Sequence, residues 1–233
     1  MLRPSWPIPG PNGVHGVRTT AERVEAMIDE VRAIARARSL PLMWVVTDDV
    51  EPADLPERLI RRGILPDPGA PETATMALGP GVDFGPPPPE VTIENALASL
   101  EVFSATIRCQ ERGFGAEGQA TASDESYRIR WEEARQGSGL VFLARWKGRP
   151  AAGATVTIEG PAAIMNGGTV VEEFRGRGVY RALVGTRYRA AIEAGAVGVV
   201  TNARPTSRPI LQHFGFKVIG RRRYFRDLGT AGT

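Results

Sequence analysis

The sequence is poor in the residues that staple a chain, anchor it in a membrane or hold a metal. Its 233 residues include one cysteine, Cys109, so no internal disulfide can form. Cys109 reads as a small apolar core residue within a helix. The two histidines, His15 and His213, are too few for a soft-ligand metal site, and none is expected. No uninterrupted apolar run reaches the roughly 18 residues that a membrane span needs. The opening residues, MLRPSWPIPGPNG, carry no apolar signal-peptide core. With so little cysteine, a cytoplasmic location is the expectation. Lysine occurs only at Lys147 and Lys217, the other basic residues being arginine, which reads as coding bias.

What is present describes a folded globular chain: 42% hydrophobic and 24% charged residues. Its length suits one or two domains, with about 70% of the unfolded surface buried on folding. The net charge is +3, and Arg221, Arg222, Arg223 and Arg226 carry more positive charge than that whole excess. No general basic face remains, so nucleic-acid binding is not expected. The arginine run reads instead as the solvated face of a final strand, with Tyr224 or Phe225 packing inward.

Hydrophobic spacing predicts a helix over 19–38, capped by Thr19 or Thr20, a buried strand over 42–47, a short helix over 53–62 and a strand over 73–78. Residues 79–90, GPGVDFGPPPPE, cannot lie inside a helix or a central strand. They read as a stiff connector and the best boundary in the chain. Helices are expected over 95–112 and over 123–136, the second capped by Ser123. Three strands, 139–146, 150–158 and 162–172, then form an antiparallel meander, with Lys147-Gly148-Arg149 as its first turn. A long helix over about 179–194 shows two apolar stripes, as a helix well covered by a sheet should. A short buried strand over 197–201, a short helix, Gly215-Phe216 and a last strand near 216–225 complete the order. There is also an internal echo. WVVTDD (44–49) followed by ERLIRRGI (57–64) parallels GVVTNA (198–203) followed by ILQHFGF (210–216), so the first part reads as a partial copy of the last.

The chemistry concentrates where strand 162–172 passes into the long helix. A helix start offers unpaired N–H groups and a positive dipole end. Glycine lets an anion approach that backbone, and arginine adds charge that does not titrate away. Arg175-Gly176-Arg177-Gly178 therefore reads as a pyrophosphate cradle. Gly167-Gly168, inside a strand-like run, marks a bulge or a close approach by a ligand. No P-loop occurs, since no Gly-Lys-Ser or Gly-Lys-Thr is present.

Here the order of elements and the loop Arg175-Gly176-Arg177-Gly178-Val179 resemble the GNAT N-acetyltransferase superfamily, over residues 91–228. Tyr180 departs from the pattern, which has a small residue there. The resemblance implies a mixed α+β fold, a mostly antiparallel twisted central sheet flanked by helices. It also implies a partial GNAT-like lobe over 1–80, a proline-rich linker over 81–90 and a catalytic domain over 91–228. The implied activity is acetyl transfer from acetyl-coenzyme A to an amine, either a small molecule or a peptide, by direct attack on the thioester. Backbone near Gly168, Thr169 and Val170 would hold the pantetheine arm. Arg175, Gly176, Arg177, Gly178, Val179, Tyr180 and Arg181 would hold the pyrophosphate, and Asn202 would bind the coenzyme in place of the superfamily's asparagine, whose position falls on Arg204. The proton-donating tyrosine of the superfamily falls on Leu211. Ser207 and Glu172 are therefore the candidates for proton transfer, each with a plainer reading, a helix N-cap and a strand-end charge. The other function class open to such a chain is a coenzyme-binding sensor or interaction module that has lost turnover. The chain is expected as a monomer or homodimer.

Overall fold

The computed structural model describes residues 12–38, 40–115 and 123–228. Residues 1–11, most of the segment read above for a signal sequence, lie outside them. The elements run β1 (Gly13–Val14), α1 (Val24–Arg36), β2 (Leu42–Thr47), α2 (Leu55–Arg61), β3 (Leu65–Pro66), β4 (Thr73–Leu78), β5 (Val91–Asn95), α3 (Leu100–Phe114), α4 (Asp124–Gln136), β6 (Gly139–Trp146), β7 (Arg149–Glu159), β8 (Ala162–Val170), α5 (Val179–Glu193), β9 (Val199–Ala203), α6 (Arg208–His213) and β10 (Lys217–Asp227). They group into two compact units. One holds Met1–Thr75, Ala203–Leu211 and Val218–Thr233; the other holds Met76–Asn202 and Gln212–Lys217. This grouping cuts the chain differently from the expected segments, because the last strand joins the N-terminal residues.

In the first unit, β1 pairs parallel to β2, and β10 runs antiparallel to both β2 and β3. Phe225, opposite Trp44, is buried with it in a core that includes Val24, Ile28, Leu55 and Leu59. The arginine run is a sheet strand: Arg221 donates to Asp48 from its backbone at 3.0 Å, and the Tyr224 hydroxyl meets Thr73 Oγ1 at 2.9 Å. Asp227, 1% exposed, pairs with Arg32 at 2.8 Å and 3.0 Å. Helix α1 begins at Val24, later than expected; a turn over 21–23 leads into it, with the Thr20 carbonyl accepting from the Arg23 and Val24 N–H groups at 3.2 Å and 3.1 Å.

In the second unit, β5, β6, β7 and β8 form an antiparallel run, and β9 joins β8 in parallel. Strand β5 was not expected. The helix expected over 95–112 starts instead as a 3-10 turn, with Asn95 capping Leu97 and Ser99 capping Val102 to open α3. The β6–β7 hairpin turns on Lys147 and Gly148, both at positive φ (47° and 77°), the geometry of a tight two-residue turn. The proline-rich segment lies along α5. Phe84 packs on the Tyr188 ring at 5.4 Å, and the Tyr188 hydroxyl donates to the Gly79 carbonyl at 3.0 Å.

Candidate functional site

The site is built where β8 parts from β9. Their pairing covers only Ala163–Met165 against Val199–Thr201. The Thr201 hydroxyl closes this short ladder by donating to the Met165 carbonyl at 2.9 Å. Past that point β8 continues to Val170 paired to β7 alone, so its other edge presents backbone groups with no β9 partner. Gly167 and Gly168 form a bulge there. Thr155 pairs with Asn166 and Gly153 with Thr169, so two glycines face the single residue Ala154. Gly167 has φ 60°, a conformation few side chains adopt, and its carbonyl accepts from Gln110 Nε2 at 2.9 Å.

The close approach at Gly168 is made by the protein itself. A Cβ at Gly168 would meet Arg187 Nη2 at 2.8 Å. Arg187, on α5, is 2% exposed and reaches the bulge through carbonyls. Its Nη1 donates to Thr155 at 3.3 Å and to Asn166 at 3.4 Å, and its Nε to Leu183 at 3.3 Å. No carboxylate among the described residues pairs with it. Burial pushes the guanidinium down to about 10, so it stays charged at neutral pH; Tyr180, on the same helix, acts in the opposite direction.

Beyond β8 the chain makes a 3-10 turn, Glu172–Phe174, and then the glycine loop into α5. Gly176 and Gly178 both lie at positive φ, 73° and 76°. The first intrahelical bond is Ala182 N–H to the Gly178 carbonyl at 3.0 Å, so the N–H groups of Val179, Tyr180 and Arg181 precede the ladder. A Cβ at Gly176 would meet nothing within 4 Å, so this bend of the loop is open. At Gly178 a Cβ would meet Pro88 Cγ at 2.9 Å, so the proline run braces the loop from one side. Arg175 turns back, its Nε donating to the Val170 carbonyl at 3.3 Å. Arg177 lies over the Trp146 ring at 5.3 Å, on the rim of a pocket of about 490 Å³ lined also by Lys147, Arg149, Glu173 and Phe174. An unladdered strand edge, an open glycine bend and bare helix-start N–H groups fit an extended amide-bearing chain that ends in a phosphate anion.

No protein-family model matches the chain, and no curated protein matches it. Solved structures do. A GCN5-related N-acetyltransferase from Kribbella flavida superposes with TM-score 0.71 at 21% identity, over 92% of this chain and 79% of that one. A GCN5-related N-acetyltransferase from Sphaerobacter thermophilus gives 0.67 at 16% identity, over 89% and 68%. A tandem GNAT protein from the clavulanic acid biosynthesis pathway gives 0.64 at 18% identity, over 90% and 71%. This chain has the GNAT fold.

On that GNAT fold the expected residues fall in three places. Gly168, Thr169 and Val170 lie on β8, and Arg175 to Arg181 form the adjoining loop and helix start, so these make one continuous corner. The Thr169 side chain is turned onto α3, where a Cβ at Gly113 would strike its Oγ1. Asn202 lies on β9, one residue beyond the last pair with β8. Tyr180, where a small residue was expected, is largely buried and stacks on Phe214 at 6.5 Å; burial raises its hydroxyl pKa. Glu172 does not sit on the strand. Strand β8 ends at Val170, and Glu172 is exposed on the 3-10 turn, where its carbonyl accepts the Arg175 N–H at 3.1 Å. The strand expected over 162–172 is therefore two residues shorter, and Glu172 lies beyond its end. Glu173 is held by Arg149 at 2.6 Å and Arg112 at 3.5 Å. Ser207 and Leu211 belong to the other unit. Ser207 precedes α6, its carbonyl accepting from the Leu211 N–H and its hydroxyl donating to the Arg204 carbonyl at 3.3 Å. Leu211 is 2% exposed.

The sequence reading missed Arg187, Gln110 and Pro88. A signal for Arg187 was present. It stands three residues after Val184 and four after Leu183, on the face that the apolar stripes bury.

Proposed function

We propose that the chain is an acetyl-coenzyme A-dependent N-acetyltransferase, with its coenzyme site on the second unit. The observation that carries this is the junction of two features. The β8 edge over 166–170 lacks a β9 partner and leads directly into an open glycine loop capped by the unladdered N–H groups of Val179–Arg181. Backbone groups of Gly168–Val170 hold the pantetheine amides as a neighbouring strand would, apart from the Val170 carbonyl that Arg175 already takes. The N–H groups from Gly176 to Arg181 hold the pyrophosphate with the helix dipole behind them, and Arg177 adds charge. Bound there, acetyl-coenzyme A supplies an activated acetyl group: an amine nitrogen bonds the acetyl carbon, the carbon–sulfur bond breaks with its electron pair on sulfur, and the amine proton passes to water. The protein contributes proximity and a fixed dipolar environment. Glu172 stands at the loop end of the strand edge, not at the bulge, so no proton is routed through it. Ser207, in the other unit, is given no step.

The test is calorimetry with acetyl-coenzyme A, followed by thiol release with a panel of amines. Saturable heat with one site and amine-dependent release are expected. Gly176→Glu should weaken binding at least tenfold, because it brings an anion into the open bend without a clash at its Cβ. No heat with any acyl thioester would overturn the proposal. The buried Leu211 favours a second reading, a coenzyme-binding module without turnover. It predicts heat of binding but no thiol release with any amine.

A further inference from the structure

Arg187 is a full positive charge placed where a protein has every reason not to put one. It is 2% exposed, it faces no carboxylate among the described residues, and its donors reach only carbonyls at 3.3–3.4 Å. An unpaired buried cation costs stability, and packing alone would be served by leucine or methionine. Its position is specific. It donates to Asn166, the first β8 residue beyond the last β8–β9 pair, and crowds Gly168 in the bulge. An extended pantetheine arm spans about four strand residues at about 3.3 Å each. With the pyrophosphate held at the loop after Val170, an arm of that length ends near Asn166–Gly167, at the bulge that Arg187 holds through the Asn166 carbonyl.

We propose that Arg187 is the electrostatic counterpart of the departing coenzyme thiolate: a positioning residue that fixes the β8 bulge and lowers the energy of negative charge on sulfur. This rests on the coenzyme reading above. Arg187 stays protonated throughout and transfers nothing; it acts through the bulge backbone and through its field. That removes the need for a proton donor at Leu211, since a thiolate already stabilised can leave without one. The titratable group that faces it is Tyr180; β7 and β8 present the carbonyls of Thr155 and Asn166, and α3 presents Gln110.

The test titrates the thiol of bound coenzyme A by ultraviolet thiolate absorbance on the full chain. The desulfo analogue subtracts tyrosine and Cys109 ionisation. Wild type should deprotonate the bound thiol at least one pH unit below free coenzyme A, about a tenfold gain in thiolate. Arg187→Met should erase that shift while retaining calorimetric binding, and Arg187→Lys should keep most of it. Where a variant fails to fold, the wild-type midpoint against free coenzyme A decides. A wild-type midpoint at or above that of free coenzyme overturns the proposal, as does an equal shift in Arg187→Met. An absence of coenzyme binding by wild type is seen separately, as missing heat, and overturns the coenzyme reading with it.

Discussion

Gly176 and Gly178 offer a controlled pair of substitutions. Both lie at positive φ, 73° and 76°, so alanine at either pays the left-handed backbone cost of about 1–2 kcal/mol. At Gly176 the new methyl meets nothing within 4 Å, and that cost is the whole effect. At Gly178 the methyl comes within 2.9 Å of Pro88 Cγ, and Pro88 cannot swing away because it sits in the run Pro86–Pro89. Overpacking adds about 1–3 kcal/mol. With a urea m-value of about 2 kcal/mol/M, Gly178→Ala should unfold at a midpoint about 0.5–1.5 M below that of Gly176→Ala. Tryptophan fluorescence in a urea series reads both midpoints. Coincident midpoints would refute the bracing of the loop by the proline run. The same pair measured against acetyl-coenzyme A should show Gly178→Ala weaker as well, because a displaced Pro88 shifts the loop that precedes the N–H groups of Val179–Arg181.

Asp227→Ala leaves Arg32 as an unpaired charge in the first unit and should cost about 3–5 kcal/mol in urea unfolding. A loss under 1 kcal/mol would show that the pair is exposed in solution. Gly153→Ala places a methyl 2.7 Å from the Thr106 carbonyl on α3 and should cost about 1–3 kcal/mol by the same assay, an unchanged midpoint meaning that α3 sits farther from β7 than described. Burial pushes the Cys109 thiol up to about 11, above its ordinary 9.0. Between about pH 9 and 11 the unfolded chain therefore loses this proton while the fold keeps it, so the Cys109 contribution falls as pH rises through that window. Cys109→Ala should show a shallower loss of stability there, and equal slopes in the two proteins would contradict it. In the native protein a thiol reagent at pH 8 should react with Cys109 far more slowly than in urea.

Much of the second unit was legible in the sequence, for local reasons. The β6–β7 hairpin announced itself through Lys147-Gly148, whose turn needs positive φ at both positions. Helix α5 and its glycine loop were legible because helical periodicity and glycine spacing are properties of a few consecutive residues. Strand β5 escaped because Val91–Asn95 is short and has apolar character at only a few positions, so that its pairing with β6, some fifty residues later, makes it a strand. Glu172 was placed on a strand because the chain alone does not say where a ladder ends; the β7 partner stops supporting β8 at Val170, and the chain turns.

The residue pattern by itself determined the meander, the long helix and the glycine loop Arg175–Gly178 that opens it, since each depends on backbone preferences within one short stretch. Only the tertiary structure decided that β10 closes a sheet with β2, that the proline run braces Gly178, and that Arg187 is buried at the bulge of β8. Those depend on which distant segments meet. An arginine on a helix carries the same charge wherever it points; the carbonyls and low-dielectric surroundings that bury this one come from β7 and β8, which the helix cannot specify alone.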